Sequence, residues 1–166
     1  MNSVVGVSDW KVSDNIHDTI ITYALGSCLG VVLYDPVVRV AGLLHVMLPL
    51  SKADPAKAKV KPAMYVDTGF ATLLADFYDL GGQKKNMKLY VAGGASMRMD
   101  SRDDYFKIGS RNFTTFRKLL WKNGLMIDFQ DVGGNISRTM AVRVGDGLVT
   151  INKQPVSEHK FCAPMK

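Results

Sequence analysis

Few residues in this 166-residue chain are placed to make and break a covalent bond, and Cys28 and His45 are the best candidates. An imidazole that takes the proton of a thiol produces a nucleophile for carbonyl carbon, the minimum equipment for acyl transfer. Thr22 adds a hydroxyl that could hold the imidazole in one orientation, the third role in a triad-like site. The bend Gly26-Ser27, just before the cysteine, carries backbone N–H groups that could receive an oxyanion. Read this way, Cys28 is expected to be a thiol of depressed pKa, and Cys162, with no base near it in sequence, an ordinary one. The chemistry alone is that of a cysteine hydrolase. A cysteine protease or a transglutaminase would use it too, although a protease needs an extended cleft and this chain looks compact.

The elements that must position these groups are short strands. Thr19-Ile20-Ile21-Thr22 is β-branched and feeds the bend. Val31-Val32-Leu33-Tyr34 follows Cys28 as a buried strand and is closed by Asp35-Pro36. A second apolar run, Arg39 to Pro49, carries His45 in its middle. The link Asp35 to Val38 is short enough for a hairpin, and paired strands would bring Cys28 and His45 within reach. Each residue also has a plain structural reading. A cysteine beside a strand is usually a small buried hydrophobe, and a histidine in an apolar run is usually a satisfied core residue. Gly26 and Gly30, which permit positive φ and close backbone approach, add weight to the catalytic reading, as does Thr22.

The motif Thr22 to Cys28, ending Leu-Gly-Ser-Cys, and then Gly42 to Pro49 resemble the CheD family, the chemoreceptor glutamine deamidases. The resemblance continues through Tyr65-Val66-Asp67, Ala92 to Ala95, Ile108 to Asn112, Asp131 to Gly134, Arg138 and Gly147-Leu148-Val149. Each motif alone is weak, but the ordered set spans nearly the whole chain. Ala24 is a departure, standing where glycine is more often expected. The resemblance implies layered mixed β-sheets with helices on one side, related to toxin deamidases of the cysteine-hydrolase kind. It implies that Cys28, His45 and Thr22 convert glutamine side chains of chemotaxis receptors to glutamate, as a protein-glutamine glutaminase needing no cofactor. The receptor's helical cytoplasmic part would be the substrate and a CheC-type phosphatase a further partner. A non-catalytic adaptor that activates such a phosphatase is the alternative.

Composition narrows the class. The length suits one domain with a real core, and 47% hydrophobic residues is ordinary for a globular protein. No apolar run reaches the ~18 residues of a membrane span, and the N-terminus is not a secretory signal. Two unlike cysteines do not make a disulfide framework, so a reduced, cytoplasmic location is expected. Three histidines and two cysteines at no ligand spacing argue against a metal site. The net charge of +6 is spread out, without the aromatic interleaving of a nucleic-acid platform. It suits an acidic protein surface better.

The remaining chain predicts an α+β fold, with a domain over residues 1–153 and a weakly ordered tail over 154–166. Val4 to Val12 reads as an edge strand, Ser51 to Lys61 as an exposed loop, and Pro62 as the start of a helix ending at Gly81-Gly82. Asp67 in its first turn suits the helix dipole better than catalysis. Met87 to Ala92 is a strand whose Gly93-Gly94 bend lacks the residues of a phosphate loop and is read as a close backbone passage. A second helix follows Gly109 with Ser110 as N-cap, and ends at Asn123-Gly124. Strands follow over Leu125–Phe129, Thr139–Val144 and Leu148–Ile151. His17, beside Asp18, is read as a surface residue, and Met97 to Phe106 as a charged loop suited to a partner.

Overall fold

The structure is a computed structural model and describes residues 1–96 and 107–155. Strand alternation sorts the apolar residues between two stacked sheets. One sheet is ordered β1 (Asn2–Val4), β3 (Thr19–Leu25), β8 (Ile136–Arg143) and β9 (Val149–Pro155). The other is ordered β2 (Asp9–Ser13), β5 (Val40–Val46), β4 (Leu29–Asp35), β6 (Lys88–Gly93) and β7 (Phe129–Val132). Both are mixed: β1 runs parallel to β3 and β6 parallel to β7, while the other pairs are antiparallel. Helices α2 (Val66–Asp79) and α3 (Ile108–Lys122) pack on the five-stranded sheet, away from the four-stranded one. This is the α+β fold expected, with its main helices on one side.

The middle position of the five-stranded sheet explains the continuous apolar runs. All residues of β4 and β5 are buried, because one face of each meets helices and the other meets a sheet. Leu29, Val31, Leu33, Leu44 and Val46 point to the helical layer, with Phe70, Leu73, Phe77 and Phe116. Val32, Tyr34, Ala41 and Leu43 point the other way, against Ile20, Leu25, Met140 and Val142. The rings of Phe70 and Phe116 meet edge to face, 5.1 Å apart, and tie α2 to α3. Each fully buried side chain of this size contributes roughly 1.5–3 kcal/mol.

Several boundaries differ from expectation. The first apolar stretch is two strands, β1 and β2, at the edges of different sheets. Ser51 to Lys61 is not a loop. It holds a helical turn at Ser51–Ala53 and a helix, α1 (Pro55–Val60). The reason is local: Asp54 is an N-cap whose carboxylate accepts from Lys57 N at 3.0 Å, and Pro55 stands at the first helical position. Pro62 starts only a short turn, Pro62–Met64, and α2 begins at Val66. Leu125 to Ile127 packs without strand pairing, so β7 begins at Phe129. Strand β9 continues to Pro155, pairing with Ile136, and takes in the first two residues assigned to the tail. Cys162 and the Met97–Phe106 stretch lie outside the described residues.

Candidate active site

The hairpin forms as expected, with Gly30 opposite His45. Period-two alternation puts His45 on the same face of β5 as Ala41 and Leu43, toward the four-stranded sheet. On β3, Thr22 shares its inward face with Ile20. The two side chains therefore meet between the sheets, both completely buried, with Thr22 Oγ1 2.7 Å from His45 Nδ1. Cys28 lies at the mouth of β4, half-buried, against the same inter-sheet layer.

The hydrogen bonds determine which nitrogen of His45 is basic. Thr22 has one hydroxyl proton, and Oγ1 donates it to the carbonyl of Val5 at 2.7 Å. Toward His45 the hydroxyl can then only accept, so Nδ1 carries the proton. Nε2 is left with a lone pair and is buried, without a hydrogen-bond partner among the described residues. Burial holds the pKa of this imidazole down to about 4. At neutral pH it is uncharged, in the tautomer of a general base.

Cys28 differs from expectation. Burial pushes its thiol pKa up, and its own backbone N–H offsets this only in part. A depressed pKa needs a cation beside the sulfur, and a neutral imidazole is not one. His45 Nε2 also has no hydrogen bond to the thiol. Cys28 and His45 therefore rest as a neutral thiol and a neutral imidazole, not as an ion pair.

The bend that carries Cys28 is held from three sides. Ala24 sits at φ 57°, in the left-handed region, where β3 shifts register between Thr22 and Leu25. This explains why glycine would be easier there. Gly26 N–H donates to Ala24 O at 3.0 Å, so it closes the bend and is not free for an oxyanion. Ser27 N–H has no acceptor among the described residues. Just past β6, Gly94 N–H donates to Cys28 O at 2.9 Å. A Cβ at Gly93 would stand 2.1 Å from that same oxygen, so the Gly93-Gly94 pair does allow two backbones to pass closely.

Two residues of the site escaped the sequence reading of roles. Asn112, fully buried on α3, donates through Nδ2 to Ser27 O at 3.0 Å and Met47 O at 3.1 Å. It ties the cysteine bend to the end of β5. Its signal was present, because Asn112 shares a stripe with Phe116 and Leu120 at helical spacing. The expected N-cap, Ser110, lies inside α3, which begins at Ile108. A Cβ at Gly109 would stand 2.4 Å from Ala95 O, so glycine at this helical position lets α3 close on the site. Arg138, buried on β8, donates to Gly93 O at 3.3 Å and Gly133 O at 3.0 Å, and pairs with Asp131 at 3.2 Å. It braces the Gly93-Gly94 bend, and its alternation with Met140 and Val142 marked it as inward-facing.

His17 is exposed beyond the opposite end of β3 and takes no part. Asp67 lies in the first turn of α2, as expected, and also accepts from Ser51 N at 3.0 Å and Ser51 Oγ at 2.7 Å, which ties down the turn before α1. Among the described residues, no three His, Cys, Asp or Glu side chains gather as metal ligands, and no helix is long and apolar enough to cross a membrane.

Known proteins are similar in sequence along most of the chain. The model of the family described as CheD chemotactic sensory transduction matches residues 47–153. A protein of Syntrophus aciditrophicus named probable chemoreceptor glutamine deamidase CheD 1 is 47% identical over 148 residues, 89% of this chain and 91% of its own length. The chain belongs to the CheD family. Relatives with the name probable chemoreceptor glutamine deamidase CheD include one from Solibacter usitatus, 42% identical over 90% of this chain and 88% of its own. Another, from Pyrococcus abyssi, is 39% identical over 90% of both. The CheD family model begins after His45, but a match covering 148 of 166 residues must begin before Thr22. The relatives are therefore similar across the segment that carries Thr22, Cys28 and His45.

Proposed function

We propose that this protein is a protein-glutamine deamidase, a cysteine hydrolase acting on chemoreceptor glutamines in the cytoplasm, with Cys28, His45 and Thr22 as its machinery. The substrate class comes from the names of the CheD relatives. The observation that carries the chemistry is the Val5–Thr22–His45 chain of hydrogen bonds, which leaves Nε2 as a buried, unpartnered base. A purely adaptor protein would have no use for an imidazole held that way.

As the glutamine carboxamide arrives, His45 Nε2 takes the thiol proton while sulfur bonds to the carbonyl carbon. The carbonyl electrons move to oxygen, which Ser27 and Cys28 N–H groups receive. The neutral resting pair suits this order, since charge separates only when the oxyanion and imidazolium form together. The imidazolium then gives its proton to the amide nitrogen, the C–N bond breaks and ammonia leaves a thioester. Water, deprotonated by Nε2, attacks that thioester. The C–S bond breaks, the thiolate recovers its proton, and glutamate remains. Thr22 accepts from Nδ1–H throughout and keeps the ring aimed. It does not touch substrate and is a positioning residue.

The test is ammonia release from a folded receptor fragment. Cys28→Ala and His45→Ala should each lower turnover on the order of 10⁴-fold or more, with the double variant no worse than either single one, as for parts of one machine. Substantial turnover by folded His45→Ala protein would remove His45 from the base role.

A further inference from the structure

Helix α3 touches the site through Asn112 and then leaves a surface uncovered at its other end. A groove of about 550 Å³ runs between this helix and the chain after it, lined by Thr114, Arg117, Lys118, Trp121, Met126 and Gln130 among others. Trp121 is 84% exposed and Met126 82%. An indole is usually well covered in a folded chain, and Trp and Arg are the residues that most often carry binding energy. The charged side chains that line the groove, Arg117 and Lys118, are both basic. α3 carries Arg111, Arg117, Lys118 and Lys122 and no acidic residue.

We propose that this groove docks an acidic, amphipathic helix of the protein substrate, at a distance from the reacting glutamine. The proposal rests on the deamidase reading and adds to it where the substrate is held. An apolar groove beside one helix accepts the apolar face of another, and acidic residues flanking that face would meet Arg117, Lys118 and Lys122. A second copy of the chain is a poor occupant, because a two-fold contact through α3 would set its four bases against the same four. The chain's own last residues, Val156 to Lys166, contain two lysines and one glutamate, also the wrong sign. Position favours the substrate. Trp121 is nine residues from Asn112 along α3, about 14 Å at helical rise. Nine residues are also two and a half turns, so Trp121 and the buried Asn112 face opposite sides of α3, and a folded substrate would engage the groove with one part and the Cys28 bend with another. Binding energy from such a remote contact can be used to orient the amide.

The experiment compares Trp121→Ala and Lys118→Glu with the unaltered protein. The substrates are a folded cytoplasmic fragment of a chemoreceptor and a short unfolded glutamine peptide. Both positions are exposed, so circular dichroism and the melting temperature should not change. Each variant should raise KM for the fragment about tenfold, with kcat unchanged and peptide turnover unchanged. Raising the salt should raise KM for the unaltered protein and do so less for Lys118→Glu. An unchanged KM for the fragment overturns the proposal, and so does an equal loss on both substrates, which would mean an effect through the fold. Sedimentation showing that Trp121→Ala only dissociates a dimer also overturns it. If the unaltered protein turns over neither substrate, the deamidase reading fails. The dissociation constant of the fragment for Cys28→Ala protein then decides docking: tenfold weakening by Trp121→Ala sustains it, and no change ends it.

Discussion

Acid should destabilise this protein through His45, and the size of the effect follows from its burial. In the folded protein the imidazole resists protonation down to about pH 4, against an ordinary value of 6.5. Between those values the unfolded chain binds the proton and the folded chain does not. Stability is therefore fully present above about pH 6.5 and falls as pH drops toward 4. The gap is worth about 3 kcal/mol in full, of which about 2.5 kcal/mol should be gone at pH 4.5. The perturbation is His45→Gln, which removes the titrating group, and the assay is urea unfolding at pH 7.5 and 4.5. At a slope of about 2 kcal/mol per molar urea, the unaltered midpoint should fall by about 1 M more than that of the variant. Asp35 is a competing acid-sensitive group. Burial raises its pKa, but N–H groups of Gln83, Val37 and Val38 outweigh this and hold it low, so its contribution is lost only below the usual carboxylate range. At pH 4.5 it stays ionised. Equal losses in the two proteins would refute the reasoning, because His45 would then not be held neutral by the fold.

Three further outcomes follow from the site. Thr22→Val should leave both Val5 O and His45 Nδ1–H unpartnered, destabilise by about 1–3 kcal/mol, and lower kcat more than it raises KM; Thr22→Ser should restore kcat. Ala24→Gly should raise stability by about 0.5–1 kcal/mol in denaturant unfolding, because relief at φ 57° exceeds the entropy that glycine adds to the unfolded chain; a loss of stability would contradict the strain. Cys28 should react with iodoacetamide at pH 7 more slowly in the folded protein than in urea, and its rate should keep rising with pH above 9; faster labelling when folded would mean a thiolate that the buried site does not provide.

The catalytic candidates were legible because local signals carried them. β-branched runs, the Asp35-Pro36 turn and glycines around Cys28 define strands and a bend without reference to the rest of the chain, and the hairpin that joins Gly30 to His45 is a short-range contact. Helices α2 and α3 were legible from their apolar stripes. Helix α1 was missed although its cap was local, because lysine-rich composition outweighed the Asp54-Pro55 signal. Asn112 and Arg138 had no role assignable from sequence, since the contacts that tie them to the site, at Ser27 and Gly93, lie 85 and 45 residues away.

Residue types and spacing by themselves singled out a thiol, an imidazole and a hydroxyl as candidates for one site, and carried the resemblance to the CheD family. Only the stacking of the two sheets decided their state. Thr22 meets His45 because β3 and β5 belong to different sheets that face each other, a packing of distant segments that no local propensity encodes. Burial in that packing removes water from His45 and from much of Cys28, and loss of hydration disfavours charge on each. The imidazole is thereby kept neutral and the thiol protonated, where the motif alone suggested a thiolate. A pKa is set by everything around a group, and for Cys28 and His45 most of those surroundings come from elsewhere in the chain.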